Sequence, residues 1–391
     1  MVLKVVLFLT GILALTVGAH LLFFKAVTRL FIINSTGLKI SLLVVLFLLS
    51  LSFMASFFLL RWQANLLTVC FYKFSAVWTG LFINLLLAAL LSWLIIVIVG
   101  LAGTYPNTRL IAAGCLMLAV LFSAYGMWNA FHPRIKKLHI ELDNLPDQWK
   151  GKTVVQLSDV HLGHFYGPRF LKDLVRRVNS LNPELILITG DLFDGMASDI
   201  SRFADGLSQF KAEKGVHFIT GNHETYIGVN RALNVLGQTR INILQNEVID
   251  IDGLQIIGIS YPGIKEVGQI QGREKLSQDS SDSKPRILLF HTPTNIDHGR
   301  GDGMDRHFST YWLPDTSFLP AQKLGVDLQL SGHTHAGQIF PFGHLTRLLY
   351  KNYDYGLRGR GNFSIYTTSG VGTWGPPIRT GNSPEILAII F

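Results

Sequence analysis

No aspartate or glutamate occurs before Glu141, and only two cysteines are present, Cys70 and Cys115. Both absences exclude something. A chain of 391 residues with two cysteines is not a disulfide scaffold, and the long segment after Cys115 cannot build a thiolate zinc site. A net charge of +8 would ordinarily invite a nucleic-acid reading. Here the excess is confined to the acid-free stretch. Residues 1–133 hold seven basic side chains (Lys4, Lys25, Arg29, Lys39, Arg61, Lys73 and Arg109), and the remainder is close to neutral with no basic stripe. No nucleic-acid partner is expected.

What fills the acid-free stretch is apolar. Four long runs, at about 3–24, 38–60, 74–100 and 108–130, each reach the roughly 20 residues that cross a bilayer. A signal peptide accounts for the first run alone, and "LTVGAHLLFFKAV" continues without a small-residue cleavage site. The runs therefore read as four spanning helices, giving a multi-pass membrane protein. His20 and Asn84, polar residues inside runs, are expected to hydrogen-bond between helices rather than to mark a transport path. After four crossings the first and last segments lie on one side. That side collects Lys4, Arg61, Lys73, Arg134, Lys136 and Lys137, against Lys25, Arg29, Lys39 and Arg109 on the other. Six against four favours a cytoplasmic C-terminal domain.

The domain organisation expected is thus a transmembrane region over 1–132, a connector over 133–152 and a second domain over 153–391. In the last, apolar strands alternate with amphipathic helices, which implies a mainly parallel, covered sheet. "PRFLKDLVRRVNSLN" is a helix with apolar residues at helical spacing, and "ISRFADGLSQFKA" reads as another. Asp252-Gly253 marks a hairpin turn. The tail after Asn362 suggests antiparallel strands, and "SQDSSDSKP" is a polar loop.

One pattern recurs at the strand ends. "VVQLSDVH" delivers Asp159 and His161, "LILITGD" Asp191, "HFITGNH" Asn222 and His223, "ILLFH" His291, and "LQLSGHTH" His333 and His335. Ligands of open α/β sheets bind outside the carboxyl ends of the strands. A single histidine at such a position is usually an ordinary loop residue; a set this large is the size of a two-metal site. Imidazoles, carboxylates and one amide oxygen suit Mn²⁺, Fe or Zn²⁺ better than Mg²⁺ or Ca²⁺.

The blocks "DVH", "GDLFDG", "GNHE", a histidine after an apolar strand, and "GHTH", in that order, resemble the calcineurin-like metallophosphoesterases, and "SGHTHAGQIFPFG" through "PPIRTGNSPEI" resembles a membrane-linked bacterial subgroup of them. Ala336 stands where that subgroup usually has glycine. The resemblance implies a four-layer α/β/β/α sandwich preceded by the four-helix transmembrane region, and a cofactor of two divalent metal ions. Asp159, His161 and His335 would hold one ion, Asn222, His291 and His333 the other, and Asp191 would bridge. His223 would protonate the leaving oxygen, oriented by Asp194. Arg169, Arg300 and Arg379 are candidate phosphate contacts. The expected activity is hydrolysis of a phosphoester or pyrophosphate bond. A lipid-linked substrate such as UDP-2,3-diacylglucosamine is the specific reading. A soluble nucleotide phosphoester and a non-catalytic metal-binding scaffold are the alternatives.

Overall fold

A computed structural model describes residues 2–276, 284–297 and 313–391. The polar loop over 277–283, with Arg300, lies outside them. The chain divides into two units, Met1–Trp128 with Gly375–Thr380, and Asn129–Trp374 with Gly381–Phe391.

The first unit is helical. Its four helices are α1 (Val2–Leu30), α2 (Thr36–Trp62), α3 (Leu66–Leu101) and α4 (Thr108–Ala130). All are apolar around their circumference and long enough to cross a membrane, which matches the four expected spans. Asn65 and Thr68 form a reciprocal capping box that starts α3 eight residues before the expected 74. The two intramembrane polar residues bond between helices: Trp78 Nε1 donates to His20 Nε2 at 3.2 Å, and Asn84 Nδ2 to Ser123 Oγ at 2.9 Å. Gly375–Thr380 packs on α3 and α4 where these helices have glycine. A Cβ on Gly80 would meet Ile378 at 2.7 Å, and one on Gly126 would meet Thr380 at 2.6 Å. Arg379 is fully buried in this segment.

The second unit holds two six-stranded sheets rather than the single sheet the alternating pattern suggests. Its strands are β1 (Arg134–His139), β2 (Thr153–Leu157), β3 (Leu185–Thr189), β4 (Val216–Ile219), β5 (Ile241–Ile243), β6 (Glu247–Ile251), β7 (Leu254–Ile259), β8 (Arg286–Phe290), β9 (Leu328–Ser331), β10 (Gly356–Arg360), β11 (Phe363–Thr367) and β12 (Glu385–Ile390). The first sheet runs β1-β12-β2-β3-β4-β5 and the second β10-β11-β9-β8-β7-β6. Its helices are α5 (Pro168–Asn179), α6 (Ala204–Leu207), α7 (Asn222–Ile227), α8 (Val229–Leu236), α9 (Leu319–Lys323) and α10 (Phe342–Leu349).

Alternation along the strands builds the layers. Leu185 and Leu187 of β3 face Leu289 of β8 and Leu328 and Leu330 of β9 in the core between the sheets. Ile186 and Ile188 point the other way, onto Leu171, Leu174 and Val178 of α5 and Leu236 of α8. On the far side, Leu288 and Phe290 pack with Phe318 and with Ala321 of α9. Each fully buried leucine or isoleucine contributes about 2 kcal/mol. The result is the expected α/β/β/α order.

Several local expectations change. Arg134–His139, in the stretch read as a connector, is an edge strand paired parallel to β12. The second helix shrinks to four residues, α6. In the tail, β11 runs antiparallel to β10 but parallel to β9, and β12 antiparallel to β2. The hairpin turn holds, with Asp252 and Gly253 both at positive φ between β6 and β7.

Candidate metal centre

The strand ends converge. Asp159 and His161 follow β2, Asp191 follows β3, and Asn222 and His223 open α7 directly after β4; these come from the first sheet. His291 ends β8, and His333 and His335 follow β9; these come from the second. All eight are buried. Five of them (Asp159, His161, Asp191, His333 and His335) have φ between 49° and 74°, the left-handed region that costs a non-glycine residue free energy. Such strain collects where function demands it.

The ligand-type atoms form two foci. At the first, His161 Nε2 lies 3.1 Å from His335 Nε2, and His335 Nε2 lies 3.4 Å from Asp159 Oδ1. At the second, Asn222 Oδ1 lies 3.0 Å from His291 Nε2 and 2.9 Å from His333 Nδ1. Asp191 Oδ2 stands between them, 3.2 Å from His291 Nε2 and 3.9 Å from His161 Nε2. Asp159, His161 and His335 can share one cation, and so can Asp191, His291 and His333. The donor set fits the pair of ions: neutral imidazoles, an amide oxygen and two carboxylates, one common to both groups.

Backbone holds these atoms in place. His291 Nδ1 bonds the Thr189 carbonyl at 2.8 Å, leaving Nε2 for the centre. Asp191 Oδ1 accepts from His223 N at 2.8 Å, which turns Oδ2 inward. Asp159 Oδ2 accepts from Ser158 Oγ at 2.6 Å and His333 N at 3.0 Å. Two glycines allow the approach. A Cβ on Gly221 would lie 2.2 Å from Asp191 Oδ1, and one on Gly332 would lie 2.0 Å from Ser158 Oγ.

Glu224 is a residue that the sequence reading missed. Fully buried, it accepts three backbone N–H groups: Asp191 (3.0 Å) and Gly221 (2.7 Å) on Oε2, and Phe193 (3.1 Å) on Oε1. It ties the β3 loop to the β4 loop. Its signal was present: a glutamate three residues after the N-cap Gly221 reaches back to the cap N–H, as in a capping box.

His223 Nδ1 accepts from the Gly195 N–H at 2.8 Å, whereas Asp194 Oδ1 accepts from Met196 N at 2.7 Å within its own turn. The His223 ring is thus held at Nδ1 by a backbone N–H. An acceptor Nδ1 places the ring proton on Nε2. Of the arginines proposed to contact phosphate, Arg169 is exposed at the start of α5 and Arg379 belongs to the helical unit.

The electrostatics are those of a cation site. Burial opposes ionisation of Asp191, but His291, His223 and His161 outweigh it and hold the carboxyl well below its usual range. Burial also opposes charge on His291, yet Asp191 and Asp159 drive it up to about 9. Burial and the charge of Asp191 push Glu224 up to about 7, against its three N–H donors. Burial raises Asp159 as well.

Comparison with known proteins agrees. Residues 152–337 match the family model for calcineurin-like phosphoesterases. A metallophosphoesterase of Campylobacter jejuni is 32% identical over 286 residues, 72% of this chain and 70% of that one. A "transmembrane protein with metallophosphoesterase domain" of Danio rerio is 30% identical over 307 residues, 74% of this chain but 64% of that one, a little under two thirds. Among solved structures, a dimetal phosphatase from Danio rerio aligns with a TM-score of 0.32 at 11% identity, over 56% of this chain and 88% of that one. The chain belongs to the calcineurin-like metallophosphoesterases, phosphoester hydrolases that bind two divalent metals, and carries four helices able to cross a membrane.

Proposed function

We propose that the chain hydrolyses a lipid-linked phosphoester or pyrophosphate at the centre formed by Asp159, His161, Asp191, Asn222, His291, His333 and His335. The observation that carries this reading is the pair of foci sharing Asp191 Oδ2. Asp159, His161 and His335 would hold one ion, Asn222, His291 and His333 the other, with Asp191 between. Mn²⁺, Fe and Zn²⁺ all suit this donor set.

Bound there, the two cations would neutralise phosphoryl charge and lower the pKa of water to near neutrality. The chain supplies the rest. His223 would act as the imidazolium: its Nε2 proton would pass to the leaving oxygen as the phosphorus–oxygen bond breaks, leaving the neutral ring whose Nδ1 accepts the Gly195 N–H. Asp159 is held at the first focus by the His333 N–H and the Ser158 hydroxyl.

Four apolar helices exceed what tethering alone requires and support a substrate that itself resides in a bilayer, such as UDP-2,3-diacylglucosamine. We place the helices in a bacterial inner membrane and the catalytic unit on its cytoplasmic side, on the distribution of lysine and arginine between the loops. The test uses full-length protein in detergent with Mn²⁺, offered UDP-2,3-diacylglucosamine, phospholipids and water-soluble phosphodiesters. Hydrolysis of the lipid-linked compounds that disappears on chelation and in Asp191→Asn supports the reading. Turnover of soluble esters alone overturns the choice of substrate, and turnover that survives both treatments overturns the mechanism.

A further inference from the structure

The metal ligands His333 and His335 lead directly into α10, which the sequence reading did not anticipate and which buries none of its residues. Phe342, Leu345 and Leu348 recur every third residue along it and are 43%, 46% and 76% exposed; Phe340, just before it, is 48% exposed. Spacing of this kind puts apolar side chains on one face. Arg347 is exposed on the opposite side of the helix, and Lys351 is exposed in the turn that follows it. Beyond them Arg358 and Arg360 are exposed on β10. Between Ala336 and Pro384 the sequence has a single acidic residue, Asp354. It is 3% exposed, and its carboxylate accepts from Thr346 Oγ1. Over residues 337–384 the exposed charged side chains are thus all cationic, the one acid there being buried.

A separate feature lies at the end of this surface. Lys351, Asn352, Tyr353, Arg358 and Gly359 line an open cleft of about 380 Å³. Two cations flank it, and Arg358 Nε is held to the Asn352 carbonyl at 3.1 Å. The cleft has the charge to receive a phosphate headgroup.

We infer that α10 and the turn after it are an interfacial element that rests on a bilayer surface rich in anionic lipid, with the apolar face among the acyl chains and the Lys351–Arg358 cleft on a headgroup phosphate. A short helix with an exposed apolar face and a polar face that carries a cation, followed by a cationic turn, is a form that lies in a membrane interface. The chain carries four helices able to span a bilayer, so that surface is available to it. A protein partner would more often meet polar pairing groups around an apolar centre; here the polar groups at the end of the apolar face are cationic.

The element is coupled to the metal centre. A Cβ on Gly337, two residues after His335, would lie 2.3 Å from Gly343 N, so the ligand loop and the first turn of α10 touch backbone to backbone. At the other end Tyr350 stands beside His333, ring centroids 6.5 Å apart, and Thr334 Oγ1 donates to the Asp354 carbonyl at 2.6 Å. Lipid engaged by α10 would meet the protein a few residues from its catalytic ligands.

The test is amide hydrogen exchange of the full-length protein in nanodiscs of phosphatidylcholine alone and of phosphatidylcholine with phosphatidylglycerol. Backbone amides of 342–353 should exchange more slowly in the anionic discs. Arg347→Gln, Lys351→Gln and Arg358→Gln together, or Leu345→Ser with Leu348→Ser, should abolish that difference while the melting temperature is kept. Each cation removed should weaken engagement about fivefold. Equal exchange in both discs, or protection that rises with protein concentration in lipid-free detergent as a protein contact would give, overturns the inference. The readout involves no hydrolysis, so its failure leaves the phosphoesterase reading intact.

Discussion

Replacing Glu224 by glutamine isolates the contribution of one buried acceptor. The carboxylate takes three backbone N–H groups, two on Oε2 and one on Oε1. Glutamine keeps one oxygen. Set at the Oε2 position, it retains the bonds to Asp191 and Gly221 and turns its NH₂ toward the Phe193 N–H. One buried donor then loses its partner and faces another donor, at a cost of about 2 kcal/mol. The reverse orientation loses two bonds and costs more. For a unit of this size the melting temperature should fall by about 6 °C. The loop carrying Asp191 should also loosen, lowering Mn²⁺ affinity about tenfold. Thermal denaturation of full-length protein in detergent, with and without Mn²⁺, reads the first effect, and calorimetric titration the second. Unchanged melting together with unchanged Mn²⁺ affinity would refute the view that Glu224 holds the two ligand loops in register.

Further outcomes follow from the same geometry. His223→Gln should lower kcat by about a hundredfold or more while leaving metal content unchanged, read by steady-state kinetics beside elemental analysis; loss of metal in step with activity would count against its role as acid. Gly332→Ala puts a methyl 2.2 Å from Asp159 Oδ2 and should displace that ligand, and Ser158→Ala should not rescue it because the carboxylate contact remains; metal titration of the single and double variants decides this. His291, held protonated up to about 9 by Asp191 and Asp159, must release its proton to bind a cation. Mn²⁺ affinity should therefore climb as pH rises from 6 toward 9, about tenfold per unit for one displaced proton, and level off above; a flat profile by titration calorimetry would contradict the assignment of His291 as a ligand.

The centre was largely legible in the sequence because its residues share one local grammar. Each follows an apolar strand, and parallel strands deliver their carboxyl ends to a common edge. Asp159, Asp191, Asn222 and His291 could be placed together without knowing which strand pairs with which. Division into two sheets was legible only through the motif resemblance and not from the apolar pattern itself, since Leu187 and Leu289 look alike as apolar strand residues and only long-range packing separates them. β1 was hidden because "RIKKLH" is half charged; as an edge strand it needs only one partner, β12. α10 was hidden because its apolar residues, which normally announce a core, are exposed. The orienting partner of His223 escaped notice because a backbone N–H, unlike the Asp194 side chain, leaves no letter in the sequence.

That three of the ligands come from the second sheet and the rest from the first has a bearing on how the enzyme matures. A chain emerging from the ribosome exposes Asp159 and Asp191 well before His333 is made, so a nascent chain can offer incoming ions only half a coordination sphere. Ions would be captured after the two sheets have docked, and once captured would act as a rivet through the sandwich, adding stability by mass action. Cells short of the right metal would then accumulate a looser protein, cleared by proteolysis as well as idle in catalysis.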